Sequence, residues 1–89
     1  ELAKCWCLES GKSGAIGHNR KTCKSGYNGE CCSYGFSGAL DIVMQLMIDN
    51  NVPGYGHRKI ILTTYYTKIG IKNGSHKTYS FCSVIDFKL

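Results

Sequence analysis

The side chains with the widest chemical reach in this chain are two imidazoles and a carboxylate: His18, Glu30 and His57. An imidazole binds zinc through a neutral nitrogen and carries protons near neutral pH, and a neighbouring carboxylate fixes its tautomer or completes a metal site. Brought together, His18 and His57 would be a pair of zinc ligands with Glu30 as the base that activates water, the equipment of a metal-dependent hydrolase. Taken singly, each reads first as a structural group, a hydrogen-bonded cap or loop brace, and only second as a functional one. The stretch "VPGYGHRKIIL", residues 52 to 62, sets the question: His57 either binds something or only closes a turn. His76 follows Asn73-Gly74 and reads as an exposed turn residue. Serine-based hydrolysis has no support, since no Gly-x-Ser-x-Gly elbow is present.

Six cysteines, Cys5, Cys7, Cys23, Cys31, Cys32 and Cys82, stand in only 89 residues. Neither Cys5-Trp6-Cys7 nor Cys31-Cys32 has the Cys-x-x-Cys spacing of a structural zinc site, so all six are expected in disulfides. A chain this short buries roughly 60 to 65% of its unfolded surface, and bridges make up for a marginal core. That predicts an oxidising, extracellular location and thiols that are not nucleophiles. About 15 connectivities are open, but Cys31 and Cys32 point to opposite sides of an extended segment and so take different partners.

The formal charge of +5 is scattered along the chain rather than clustered. Nucleic acid is therefore not expected as a partner, whereas an anionic glycan or lipid head group is. No apolar run approaches the ~20 residues of a membrane span, and no signal peptide is recognisable, so the chain reads as a mature or trimmed product.

These residues need elements to position them. Residues 1–36 begin with one or two possible helical turns ended by Gly11 and continue as a long stapled loop rich in Gly, Ser, Lys and Asn. Over 37–51, Asp41, Gln45 and Asp49 recur every four positions. Leu40, Val43, Met44, Leu46, Met47 and Ile48 fill the rest, which predicts an amphipathic helix with a broad buried face. Ser37 is its expected N-cap, Asp41 favours its positive end, and Asn50, Asn51 and Pro53 end it. Residues 60–89 read as an antiparallel sheet turning at Asn73-Gly74. In its last strand Tyr79, Phe81, Ile85 and Phe87 face one way and Cys82 and Val84 the other. Asn73-Gly74-Ser75 is also an acceptor pattern for N-glycosylation. The whole is one α+β domain, with the sheet packed on the helix.

The segments "GHN" (17–19), "GECCSYG" (29–35), "IVMQLMIDNNVPGYGHRKIIL" (42–62), "TKIGI" (67–71) and "HKTY" with "VIDF" (76–87) resemble the CAP superfamily of cysteine-rich secretory, antigen 5 and pathogenesis-related proteins. The closer likeness is to the branch with a Val-Pro-x-x-Gly-His-Arg motif. The resemblance implies a secreted α-β-α sandwich, here N-terminally shortened, with a cleft where two histidines and two acids converge. His18, Glu30 and His57 match three of those four, and Asp49 is the nearby acid that would stand for the missing glutamate. Cys31, Ile60 and Thr63-Thr64 depart from the pattern. The function implied is a noncatalytic module binding a lipid, glycan or protein through the cleft. A structural subunit of an extracellular fibre or coat, self-assembling through exposed sheet edges, is the alternative, and a zinc-dependent hydrolase a minor one.

Overall fold

The computed structural model describes residues 1–49 and 52–89. In chain order the elements are α1 (Leu2–Ser13), β1 (Gly29–Tyr34), α2 (Ala39–Ile48), a short 3-10 turn (Pro53–Tyr55), α3 (Gly56–Leu62), β2 (Lys68–His76) and β3 (Ser80–Lys88). The strands form one antiparallel sheet in the order β1-β3-β2. β3 is thus hydrogen-bonded on both sides, pairing Glu30 with Asp86 on one flank and Gly70 with Asp86 on the other. The described residues form a mixed α+β unit of three α-helices and a three-stranded sheet. Among the described residues, no helix is long and apolar enough to cross a membrane.

Successive side chains on a strand point to opposite faces, and the core divides accordingly. Even-numbered Cys32, Cys82 and Val84 pack with Ala3, Trp6 and Cys7 of α1. Odd-numbered Cys31 and Ile85 pack with Ile42 and Leu46 of α2, with Ile60, Ile61 and Phe87 at the margin. The expected alternation of β3 holds for Cys82 and Val84 against Ile85 and Phe87, with both faces used, whereas Tyr79 lies in the turn before the strand and packs on Tyr34 and His76. α1 buries Ala3, Trp6, Cys7 and Ser10, one stripe at helical spacing. It lies close to the sheet because Gly11 has no side chain: a Cβ there would fall 2.3 Å from the Ser75 carbonyl oxygen.

Several sequence expectations need correction. α1 runs past Gly11 to Ser13 and stops at Gly14, whose left-handed backbone (φ 78°) lets its N–H return to the Ser10 carbonyl. The stretch 1–36 is therefore not simply a stapled loop, since it holds this helix and β1. α2 starts after Gly38, not Ser37, and no side chain caps it; Asp41 does lie in its first turn. Its end is Ile48, and the expected stop at Asn50-Asn51 lies outside the described residues. Only Ile42 and Leu46 of α2 are buried, and Leu40, Val43, Met44 and Ile48 are exposed. Among the described residues its neighbours are β1, α3 and, through Ile85, β3, all on one side, so one stripe is covered.

Residues 60–62 are helical rather than strand, and the sheet of the C-terminal third starts at Lys68. Asn73-Gly74 is not a turn. It lies inside β2 opposite Ser83 and Cys82, and the hairpin turns at residues 77–79. The Asn73 carboxamide accepts a hydrogen bond from the Ser83 hydroxyl (2.6 Å), so the glycosylation pattern sits in a paired strand rather than a loop. His76 is buried, not exposed: Nε2 donates to the Ala15 carbonyl (2.9 Å) and Nδ1 accepts the N–H groups of Thr78 and Tyr79. The imidazole thereby takes over the turn's backbone donors.

Cys5 and Cys23 form a disulfide that ties α1 to the loop before β1. Cys7, Cys31, Cys32 and Cys82 are free and buried, in place of the six bridged cysteines expected. Cys31 and Cys32 do face opposite ways, and each fills core space on its own side.

Candidate functional site: a buried four-charge cluster

β1 places Glu30 on the α1 face of the sheet, opposite Asp86 of β3. Both carboxylates are buried, and between them the loop after α1 inserts Arg20, whose side chain is only 3% exposed. One guanidinium nitrogen, Nη2, donates to Glu30 Oε2 (2.6 Å) and to Asp86 Oδ2 (3.1 Å). Nη2 also lies 3.4 Å from the Leu2 carbonyl. The guanidinium is covered by the rings of Tyr27, at 4.6 Å, and Trp6, at 5.8 Å. His18 closes the set from the solvent side, its Nδ1 donating to Glu30 Oε1 (2.7 Å) while nearly half of its side chain stays exposed.

The loop carrying His18 and Arg20 is held at several points. Trp6 Nε1 donates to the Gly17 carbonyl (3.1 Å), and Gly17 N–H donates to the Tyr34 hydroxyl (3.0 Å). Farther on, the Glu9 carboxylate accepts the N–H groups of Lys21 and Thr22, each at 2.9 Å, and the Thr22 hydroxyl. The Thr22 hydroxyl, with those N–H groups, draws the Glu9 carboxyl down to about 2.

The two buried carboxyls titrate in opposite directions. Burial raises Glu30, but donation from His18 and Arg20 and its contact with Asp86 outweigh it and hold Glu30 well below the carboxylate range. Asp86 is raised to about 7 by burial first and then by the Glu30 charge beside it. Hydrogen bonding to Glu30 raises His18 against the opposing effect of burial. The cluster therefore gives one firmly ionised carboxylate, one that protonates near neutrality, a fixed cation and an imidazole whose protonated form Glu30 favours.

His57 is not part of this group. It belongs to the other face of the sheet, where its carbonyl lies 3.8 Å from the Cys31 sulfur. Its Nδ1 donates to Asp49 Oδ1 (2.9 Å), and its backbone N–H donates to Asp49 Oδ2 (2.8 Å). The Arg58 N–H reaches the same oxygen at 3.3 Å. Asp49 thus caps the first turn of α3, whose own N-cap, Tyr55, offers no side-chain bond. Burial raises the Asp49 carboxyl, but the His57 ring and the backbone donors of His57 and Arg58 prevail and lower it. In return Arg58 donates to the carbonyls of Met47 and Ile48 at the end of α2 (2.7 Å to Ile48). The reciprocal Asp49–His57–Arg58 set fixes the corner between α2 and α3. His57 closes that turn and does not meet His18, and Asp49 serves the corner rather than a shared cleft.

His18, Glu30 and Cys32 place one potential ligand atom each within 4.8 Å of one another. They do not suit zinc. Both Glu30 oxygens are engaged, one by a guanidinium at 2.6 Å whose positive charge opposes a divalent cation. Burial pushes the Cys32 thiol up to about 12, away from the thiolate that zinc requires. With His57 elsewhere, the expected His18–His57 ligand pair does not assemble.

Arg20 and Asp86 were the members that sequence reading passed over. Their signal lay in β3: an acid between Ile85 and Phe87, in a strand with two apolar faces, needs a buried cationic partner. A cavity of about 190 Å³, lined by Tyr27, Lys68, Ile69, Asp86 and Lys88 among others, opens beside the cluster. On the α2 side, cavities of about 360 and 350 Å³ share Phe36 in their walls. None of these three is lined by His18, Glu30 or His57. No protein-family model, curated protein or solved structure matches this chain.

Proposed function

We propose that the chain is a secreted, CAP-like binding module, noncatalytic, with an N-terminally shortened α-β-α sandwich. The partner it suits best is an amphipathic lipid with an anionic head group. The carrying observation is a contrast between its polar and apolar side chains. The acids and imidazoles singled out as reactive are engaged in structural pairs, while large apolar side chains stand open on α2 and β2. Leu40, Val43, Met44 and Ile48 of α2 are exposed, as are Ile69 and Ile71 of β2 and Phe81 of β3. Exposed apolar groups of this size and number mark binding surfaces in soluble domains. Lys68 and Lys88 are cross-strand partners at the end of the hairpin that carries Ile69 and Phe87, and as even-numbered positions they share the α1 face with Asp86. The formal charge of +5 favours an anionic head group.

A hydrolase with Glu30 as base finds less support, because Arg20 keeps that carboxylate a weak base. Co-sedimentation with phosphatidylcholine vesicles, with and without phosphatidylglycerol, tests the lipid reading. Binding should need the anionic lipid, and Met44→Asp and Ile71→Asp should each weaken it at least tenfold. Equal binding by wild type and both variants, or none by wild type, would refute it.

Self-association into a fibre or coat is favoured by one feature, the outer edge of β2, which has no strand partner among the described residues. Lys68 and Lys72 along that strand oppose edge-to-edge pairing, as lysines on sheet edges commonly do. Concentration-dependent growth of the sedimentation coefficient, abolished by Ile71→Lys, would shift the balance toward assembly.

A further inference from the structure

We propose that Cys7 and Cys82 form a second disulfide, joining α1 directly to the central strand. The two sulfurs lie 3.3 Å apart, so small rotations about the Cα–Cβ bonds separate contact from the ~2.0 Å of a bond. Both side chains are almost fully buried in the same apolar cluster. The Cys7 sulfur is also held from the side by β2: a Cβ on Gly74 would stand 3.2 Å from it. Cys31 packs on the other face of the sheet near the His57 carbonyl, and Cys32, though in the same cluster, has its sulfur beside the Gly17 carbonyl (3.7 Å) and His18 Nδ1 (3.8 Å). The Cys5–Cys23 bridge in the same helix belongs to an oxidised chain.

The step is thiol–disulfide exchange with a low-molecular-weight or protein disulfide, RSSR. One cysteine loses its proton and attacks RSSR, giving a mixed disulfide and one thiolate, RS⁻. The second cysteine, also deprotonated, attacks the protein sulfur of that mixed disulfide and expels a second RS⁻. The two protons released appear on two RSH, the protein is oxidised by two electrons and RSSR is reduced by two. Burial pushes the Cys7 thiol up to about 12 in the folded chain, so exchange occurs before α1 seats on the sheet. The bridge then locks the helix in place.

The test is a disulfide map of protein folded without reductant and quenched with N-ethylmaleimide. Cleavage after Lys and Arg, then after Trp6, separates Cys5 from Cys7 and isolates Cys82 in its own peptide. The expected result is a Cys7–Cys82 linked pair two hydrogens lighter than the sum of its peptides, with only Cys31 and Cys32 alkylated. Both Cys7→Ala and Cys82→Ala should lose that species and retain Cys5–Cys23, each leaving one additional alkylated thiol. Alkylated Cys7 and Cys82 in the folded wild type, or Cys82 linked to any other cysteine, would overturn the assignment. If either alanine variant does not fold, refolding of the wild type in a glutathione buffer gives the same readout. There the linked pair should appear together with native fluorescence, and native fluorescence with both thiols free would again overturn it.

Discussion

Arg20→Met removes the one cation that Glu30 and Asp86 share and replaces it with a side chain of similar length. Two carboxylates would then face each other across the pair formed by β1 and β3 with only His18, on one of them, left as a donor. At charge separations of about 4 Å and an effective dielectric constant near 20, each lost attraction is worth about 4 kcal/mol. Breaking a buried pair by removing one partner typically costs about 3 to 5 kcal/mol, because the remaining charge stays desolvated. The Asp86 carboxyl already protonates at about 7 and can relieve the strain by taking a proton. The loss should therefore be near its full size at pH 8 and clearly smaller at pH 5.5. Against the ~5 kcal/mol stability at the lower end for small domains, the variant should be largely unfolded at pH 8 yet fold at pH 5.5. Urea titration followed by the fluorescence of the single tryptophan, Trp6, measures this at both pH values. Combining Arg20→Met with Glu30→Gln and Asp86→Asn removes all three charges and should regain at least about half of the loss. A loss below about 1 kcal/mol at both pH values would refute the view that this cluster organises the α1 face.

The wild type should itself lose stability toward alkaline pH. Raised folded pKa values make the contributions of Asp86 and His18 fully present below their unfolded values of 3.8 and 6.5 and lost as pH rises through the folded ones. The lowered Glu30 gives the opposite limb, present above 4.5 and lost as pH falls toward about 2. Urea midpoints at pH 5.5 should thus exceed those at pH 8.5, and Asp86→Asn should flatten much of the difference. His57→Ala should lower stability by about 1 to 2 kcal/mol and speed amide exchange in α3, with the alkaline limb unchanged. A changed limb would mean that His57 is coupled to the Arg20 cluster after all. Gly11→Ala should cost at least about 2 kcal/mol, because its methyl meets the Ser75 carbonyl, a backbone atom. Gly56→Ala, in helical backbone with nothing within 4 Å, should instead gain up to about 1 kcal/mol by thermal melting.

How much could be read from the residues differs by element. The four-residue recurrence of Asp41, Gln45 and Asp49 located α2 because period survives tertiary context, but it could not say how much of the helix a neighbour would cover. Ile60-Ile61-Leu62 misled because a short apolar run fits either a strand or one turn of helix. What decides it is remote: Asp49 caps α3 from the far side of the preceding connection. Asn73-Gly74 carried a strong local hairpin preference that lost to register, since the turn three residues later is braced by His76. For the candidate site, the expected meeting of His18 with Glu30 takes place, and that of His57 with them does not. Alternation along β1 separates them: Glu30 looks toward α1, and Cys31, next to it, looks toward α2 and α3.

The central position of β3 has a consequence for the order of events during synthesis. Both apolar clusters draw side chains from this strand, and among the described residues it is the strand with which both others pair. Neither half of the molecule can be completed while residues 80–88 are still inside the ribosomal exit tunnel. Pauses in translation upstream of that point would extend the lifetime of an open chain without advancing its folding, and the thiols of Cys7, Cys31 and Cys32 would remain accessible throughout that interval.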